Sequence, residues 1–280
     1  MIEEVYRKMK TIKWLLISIC SLWILFPAAI SADENVPSCE IKLLLDSDLV
    51  LDEDQLLTQE LRDYFQTGEE YKTIHVAYLD TAERDYLNEG WINRIRVKEG
   101  KKKYTLTYKK RYPVEDDHVE AALEEASRDG FSSSDSPFSA EIDWGYSKMT
   151  LSFSCDVGLK TNTIPDLDVL EEAEAVSMIQ DHMPSMEAGL DVEVTKADQM
   201  QIVGPIHYLR YSGMLGDYDI HIEIWPIPDG EETIPVVELS AKCDDVEEAA
   251  EEREDLIEIL DEMGILRHSD ALKTQMILGG

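Results

Sequence analysis

Basic residues are scarce in this chain of 280 residues, which has 26 Lys and Arg against 59 Asp and Glu and a formal net charge of -33. Duplex phosphates would repel most of such a surface, so the composition excludes a general nucleic-acid-coating role. Glycine (14), proline (10) and cysteine (4) are also few, which excludes a collagen-like chain and a disulfide-stapled miniprotein. Because 44% of the residues are hydrophobic, the sequence predicts a folded globular body.

The sequence also lacks the most common motifs of catalytic chemistry. It contains no glycine-rich phosphate loop, no nucleophile elbow and no Ser/His/Asp grouping. Beyond the first 32 residues the cysteines are Cys39, Cys155 and Cys243, an odd number that allows at most one internal disulfide. No Cys/His spacing suggests a zinc site, and each cysteine is predicted to be a small core residue.

A long apolar run occupies residues 14–30, WLLISICSLWILFPAAI, after four basic residues and before several small ones. This pattern is typical of a secretory signal peptide, which we predict over residues 1–32, with a secreted mature chain that begins near Asp33. The alternative is an uncleaved N-terminal membrane anchor, because a run of 17 residues is at the short limit for crossing a bilayer. After cleavage, no stable membrane span is predicted.

Period-two alternation dominates the rest of the chain without a break long enough for an interdomain linker, so residues 33–280 are predicted to form one domain. Predicted strands cover residues 39–46, 71–81, 91–99, 102–112, 141–158, 199–213, 218–227 and 232–243. Predicted helices, with apolar residues at spacings of three and four, cover residues 52–66, 115–129, 167–182 and 246–263.

Charged residues occupy alternate positions on several predicted strands, as at Arg94 and Arg96 or at Lys109 and Arg111. Alternate residues share one face of a strand. Acids and bases on a common face of four or more strands therefore suggest a sheet closed into a barrel, with a polar lumen and helices covering its apolar outside.

Nine Lys and Arg residues lie between Arg94 and Arg111, where Glu99 is the one acid. This concentration of basic residues in an acidic protein predicts a local anion site. The alternative is a solvated basic hairpin, which the regular alternation of the charges makes less favourable.

Four segments occur in an order typical of one family: CEIKLLLD (39–46), YLDTAERDYLNEGWINRIRVKEG (78–100), YTLTYKK (104–110) and VVELSAK (236–242). They resemble the CYTH, or triphosphate tunnel metalloenzyme, superfamily, whose strands carry Glu-x-Glu-x-Lys, Tyr-x-Asp-Thr, Arg-x-Arg and Leu-Thr-x-Lys. The resemblance covers residues 33–280. It implies an α+β fold, a single-domain eight-stranded antiparallel β-barrel that forms a tunnel and carries covering helices.

The resemblance further implies binding, and usually hydrolysis, of triphosphate compounds such as inorganic tripolyphosphate or a nucleoside triphosphate, with Mg²⁺ or Mn²⁺. It implies Glu40 and Lys42 as catalytic residues. Arginine forks and lysine charges suit phosphate oxygens, and the candidates for substrate binding are Arg94, Arg96, Lys109, Arg111, Arg210 and Lys242. Carboxylates suit a divalent ion, and the candidates for metal ligands are Glu40, Glu223 and Glu238.

Two positions depart from the family pattern, because Ser38 and Ser240 stand where each acidic pair would have its other carboxylate. The alternative function is therefore a non-catalytic binding module for phosphorylated or polyanionic ligands. A third alternative is a cell-surface interaction protein that uses the tunnel only as a scaffold. The exact substrate and the oligomeric state stay open.

Three further residues are predicted to have ordinary structural roles. His207 and His221 are predicted to be strand residues with local hydrogen bonds rather than ligands or bases. Lys273, in the segment LKTQMIL, is predicted to be an exposed terminal lysine, and the alternative is a position at the tunnel mouth.

Overall fold

A computed structural model of the protein describes residues 37–116, 118–131, 136–184 and 196–279. The predicted signal peptide at residues 1–32 lies outside the described residues and stays a prediction. Within the described ranges, no helix is both long enough and apolar enough to cross a bilayer.

Within the described residues, nine strands form a closed barrel: β1 Ser38–Leu45, β2 Lys72–Asp80, β3 Trp91–Lys98, β4 Lys103–Val114, β5 Ser139–Trp144, β6 Met149–Lys160, β7 Gln201–Leu215, β8 Tyr218–Asp229 and β9 Glu232–Cys243. They pair in the order β1-β5-β6-β4-β3-β2-β7-β8-β9, with β9 paired back to β1. The predicted closed barrel is thus confirmed.

The predicted strand count and the all-antiparallel pairing were wrong. The predicted strand 141–158 is a hairpin, β5 and β6, that reverses where the Gly145 amide donates to the Lys148 carbonyl at 2.8 Å. A Cβ at Gly145 would lie 2.1 Å from Asp270 Oδ1, and the Ser147 amide donates to Asp270 Oδ2 at 2.9 Å, so the turn packs directly against the C-terminal segment. After this reversal β5 lies beside β1 and pairs with it in parallel.

Seven α-helices are described: α1 Ser47–Val50, α2 Gln59–Tyr64, α3 Asp85–Asn88, α4 Val119–Arg128, α5 Glu172–Asp181, α6 Val246–Glu262 and α7 Lys273–Leu278. The predicted helix 52–66 shrinks to α2, because the Asp52 carboxylate accepts bonds from the amides of Asp54 and Leu56 and holds a turn instead. The predicted helix 167–182 divides into a short 3₁₀ turn, Leu167–Val169, and α5.

The main apolar core lies between the outer face of the barrel and the helices that cover it. Along α6, Ala249, Leu256, Ile259 and Leu260 are buried, at the spacing of an amphipathic helix. All three described cysteines are buried free thiols, as expected for small core residues. Burial of each large aliphatic side chain here contributes about 1.5–3 kcal/mol.

A second apolar cluster lies at one end of the lumen. Tyr208 and Trp225 stack there with ring centroids 3.8 Å apart, and Ile277 and Leu278 of α7 pack into the same cluster. Helix α7 therefore covers this end of the barrel and brings its first residue, Lys273, into the lumen.

Candidate functional site

The lumen contains a cavity of about 440 Å³ lined by nine Lys or Arg and six Asp or Glu side chains. In a protein with a net charge of -33, this excess of positive charge is local. The cavity brings together every residue predicted as catalytic, substrate-binding or metal-binding: Glu40, Lys42, Arg94, Arg96, Lys109, Arg111, Arg210, Glu223, Glu238 and Lys242.

Strand alternation on β3 and β4 produces a basic wall on one side of the cavity. Arg94 and Arg96 point inward from β3, and Arg111 points inward from β4; we call these three residues the arginine wall. Gly90 fixes the start of β3 against β4, because its carbonyl accepts from the Arg111 amide at 2.9 Å. A Cβ at Gly90 would lie 2.7 Å from the Arg111 carbonyl oxygen.

The arginine wall has unused hydrogen-bonding capacity. Among the described residues, the buried Nε atoms of Arg94, Arg96 and Arg111 have no hydrogen-bond partner, although buried polar groups are normally paired. Arg94 donates to Thr107 at 3.2 Å, and Arg96 lies 3.4 Å from Asp156. Three guanidinium groups thus line the cavity with part of their hydrogen-bonding capacity unused, which suits an anion site.

The cations of the wall also repel one another. The neighbouring charge of Arg94, followed by burial, lowers the pKa of Arg96. A bound anion would relieve this repulsion.

Three carboxylates gather on β1 and β5, and we call Glu40, Glu141 and Asp143 the acidic triad. Each offers an oxygen, and these oxygens all lie within 4.8 Å of one another. The parallel register of β1 and β5 sets Ser38 opposite Glu141 and Glu40 opposite Asp143. Strand β5 therefore supplies an acid, Glu141, opposite Ser38, the position at which the first family motif would have a glutamate.

Three lysines interleave with the acidic triad. Lys42 Nζ lies 2.9 Å from Glu40 and 2.5 Å from Asp143, while Lys109 lies 3.0 Å from Asp143. Lys242 lies 2.8 Å from Glu141. The triad is therefore partly neutralised by the protein itself.

These contacts keep Asp143 ionised. Burial alone would raise the pKa of Asp143, but Lys109 and Lys42, with Arg111, outweigh burial and hold that pKa far below its usual range. Hard oxygen ligands in this charged form suit Mg²⁺ or Mn²⁺, so the triad fits a divalent cation.

Glu223 and Glu238 form a separate pair bound by Lys273. They are register partners on β8 and β9, and Lys273 Nζ lies 2.6 Å from Glu223 and 2.7 Å from Glu238. Arg210 Nε donates to Glu223 at 2.8 Å. The structure thus differs from the predicted metal set, because Glu40 clusters with β5 and the other two glutamates bind a lysine.

Sequence reasoning missed three important residues of the cavity. Glu141 and Asp143 alternate in the segment SAEIDW, but their position next to β1 was hidden because the β5–β6 turn was not recognised. Lys273 was wrongly predicted to be exposed; its side chain is 14% exposed. The apolar run MIL that follows it is the signal that α7 packs inward.

Glu223 gives a test of these electrostatics through pH. Burial alone would raise its pKa, but Lys273 and Arg210 outweigh burial and hold it well below the ordinary value, which is about 4.3. The stability that ionised Glu223 contributes is therefore complete above about pH 5 and is lost as the pH falls through the folded-state pKa.

We expect the difference in free energy of unfolding between wild type and Glu223→Gln to shrink by about 1–2 kcal/mol from about pH 6 to about pH 3. Urea denaturation at matched ionic strength measures this difference and cancels the effect of the general negative charge. A difference that stays constant over the range would contradict the assigned ion pairs.

The chain was compared with curated proteins and with solved structures. A search of curated proteins finds no match to the chain. Among solved structures, a proposed adenylyl cyclase from Hippeastrum, described as having a dominant triphosphatase activity, is 17% identical with a TM-score of 0.52, covering 86% of this chain and 95% of that one.

Two further solved structures are similar at lower scores. A proposed adenylate cyclase from Bacillus halodurans is 16% identical with a TM-score of 0.49, covering 86% of this chain and 96% of that one. A proposed adenylate cyclase from Vibrio parahaemolyticus is 10% identical with a TM-score of 0.40, covering 87% and 99%.

The family comparison extends over most of the described barrel. The model of the CYTH domain matches residues 38–275, from the first residue of β1 into α7. The resemblance predicted from the four strand segments is therefore confirmed, and the chain belongs to the CYTH domain family.

Proposed function

We propose that this chain is a divalent-metal-dependent phosphohydrolase that acts on triphosphate compounds, inorganic tripolyphosphate or a nucleoside triphosphate, inside the barrel lumen. The observation that supports it most is the arginine wall, whose three Nε donors have no partner in the part of the chain that the structure describes, in the same cavity as the acidic triad. The family match and the triphosphatase activity described for the Hippeastrum protein support the same class of substrate.

In this proposal, the arginines of the cavity bind the phosphate chain and the carboxylates bind the metal ion. Arg94, Arg96 and Arg111 would donate to phosphate oxygens, and Arg forks do so with fixed geometry. Glu40, Glu141 and Asp143 would hold Mg²⁺ or Mn²⁺. When bound, such an ion offsets charge on the phosphate oxygens and makes a water molecule more acidic.

The lysines of the cavity would complete the site. Lys42 and Lys109 hold the Asp143 carboxylate between them, which orients its oxygens toward the cavity. Burial lowers the pKa of Lys109, as do Lys42 and Arg111, although Asp143 opposes them. The positive charges of the arginine wall are already in place before the substrate binds. Stabilisation of the substrate's negative charge therefore needs little rearrangement of the protein.

Phosphate release from tripolyphosphate, ATP and thiamine triphosphate, each with Mg²⁺, Mn²⁺ or chelator, tests the proposal. We expect turnover of at least one compound with metal and loss of turnover with chelator. No turnover of any of the three, with retained metal-independent binding, would replace the enzyme by a binding module.

Arg96→Ala tests the arginine wall itself. The variant is expected to lose about 1.5–3 kcal/mol of affinity for tripolyphosphate in calorimetric titration, because a charge-assisted hydrogen bond is removed. Arg128→Ala is the matched control, since Arg128 pairs with Glu124 on the exposed face of α4. A loss below about 0.5 kcal/mol for Arg96→Ala would exclude Arg96 from the binding site.

The second candidate function is a non-catalytic binding module for phosphorylated or polyanionic ligands. Two observations favour it: Ser38 and Ser240 replace acids of the family motifs, and lysines already neutralise every member of the acidic triad. The arginine wall would then bind the anion without a metal, and chelator would leave the affinity unchanged.

We also propose that the protein is secreted, with residues 1–32 as a cleaved signal peptide. The proposal is supported by the basic start and apolar run of this segment. N-terminal sequencing of the protein after export tests it, and an intact N-terminus retained in the membrane fraction would favour the uncleaved anchor.

A further inference from the structure

Two histidines lie side by side on the outer face of the barrel. His75 of β2 and His207 of β7 are register partners, and their ring centroids are 4.1 Å apart with the planes tilted by 43°. The neighbouring residues Tyr208 and Arg210 alternate inward to the cavity, so strand alternation turns His207 away from the lumen.

A carboxylate completes this outer group. His207 Nε2 lies 3.0 Å from Asp168 Oδ1, and His75, Asp168 and His207 each offer a ligand atom, all within 4.8 Å of one another. The side chains of His207 and Asp168 are 41% and 49% exposed, so water has access to the space between the ligand atoms.

The position of Asp168 is fixed by its own segment. Asp168 lies in the 3₁₀ turn Leu167–Val169, and its amide donates to the Asp166 carboxylate at 3.0 Å. The preceding Leu167 is buried in the main core. The carboxylate is thus held beside the two rings by packing, which lowers the conformational entropy lost on binding an ion.

The ligand types select a class of ion. Two imidazoles with one carboxylate suit zinc and similar borderline transition ions, whereas Mg²⁺ prefers an all-oxygen set. The alternative is a simple ion pair between His207 and Asp168. It would account for the positions of these two side chains, but not for the position of His75 beside them.

We propose that His75, His207 and Asp168 form an external binding site for Zn²⁺ or a similar transition ion, separate from the lumen. The bound ion would have a fourth position open to water and would tie the turn Leu167–Val169 to strands β2 and β7. This site is independent of the proposed phosphohydrolase activity, because none of its residues lines the cavity.

Calorimetric titration of the full chain with Zn²⁺, in buffer with excess Mg²⁺ to saturate the acidic triad, tests the site. We expect one equivalent of Zn²⁺ on the wild type, and an affinity at least about tenfold weaker for His75→Gln and for His207→Gln. Any Zn²⁺ that still binds the acidic triad would bind it in every variant, and this binding is subtracted as the background of the titration.

His268→Gln is the matched control. His268 Nε2 also lies 2.8 Å from a carboxylate, that of Asp261, but the metal-ligating groups found among the described residues do not include it. We expect this variant to bind Zn²⁺ like the wild type. Equal binding by the wild type, His75→Gln and His207→Gln would overturn the proposal, as would no uptake by the wild type in excess Zn²⁺.

Asp168→Asn keeps the inference testable if a histidine variant folds poorly. It removes a charged ligand from an exposed turn and is expected to weaken Zn²⁺ binding at least about tenfold. The melting temperature of the wild type should rise with Zn²⁺ by linkage, and that of Asp168→Asn should rise less. An Asp168→Asn variant with unchanged Zn²⁺ affinity and an unchanged thermal shift would overturn the three-ligand site.

Discussion

Lys273→Met is expected to lower the free energy of unfolding by about 3 kcal/mol, the lower end of the range for breaking a buried ion pair, because water has access to the lumen. Lys273 Nζ binds both Glu223 and Glu238 and lies 4.6 Å from the centre of the Trp225 ring. Without its charge, two facing carboxylates repel each other in a confined space. Urea denaturation at neutral pH measures the loss.

A double variant separates this charge effect from lost packing. Lys273→Met combined with Glu238→Gln removes one of the two facing charges, so it should be more stable than Lys273→Met alone. Arg128→Met serves as the surface control and should change stability by less than about 0.5 kcal/mol. A loss below about 1 kcal/mol for Lys273→Met, or no recovery in the double variant, would contradict the buried contact.

Asp143→Asn is expected to reduce metal-dependent phosphate release by about 100-fold or more. Removing one fixed electrostatic group from other active sites lowers the rate by a similar factor. Asp143 is the most deeply buried member of the acidic triad. Its carboxylate accepts hydrogen bonds from both Lys42 and Lys109. Loss of its charge weakens the cation site and leaves both lysines less well oriented. The same variant should bind Mn²⁺ at least about tenfold more weakly, as measured by electron paramagnetic resonance.

Glu223→Gln is the informative comparison, because the sequence predicts Glu223 as a metal ligand whereas the structure pairs it with Lys273 and Arg210. Its Mn²⁺ affinity should stay near the wild-type value. If Glu223→Gln weakened Mn²⁺ binding more than Asp143→Asn, the acidic triad would be the wrong metal site.

The barrel could be predicted because its signal is local. Charges that alternate along β3 and β4 must share a face, and the apolar residues between them need cover outside. The turn at Gly145 could not be predicted in the same way, because the Ser147 amide and hydroxyl in this turn donate to Asp270, which is distant in sequence. For that reason one predicted strand became two, and the parallel β1–β5 pair was missed.

Which residues line the lumen was likewise predictable, but which of them meet was not. Strand alternation predicted inward side chains such as Arg96 and Glu238, whereas their partners depend on the register between strands. Glu40 meets Asp143 through the β1–β5 register, and Glu238 meets Lys273 through the packing of α7. Neither contact follows from spacing along one strand.

The most direct test is a crystal structure of the protein with Mn²⁺ and a non-hydrolysable imido analogue of tripolyphosphate. The expected result is a phosphate chain within hydrogen-bond distance of the guanidinium groups of Arg94, Arg96 and Arg111, with an anomalous Mn²⁺ peak at Glu40, Glu141 and Asp143. A ligand bound outside the barrel, or Mn²⁺ between Glu223 and Glu238 in place of Lys273, would contradict it.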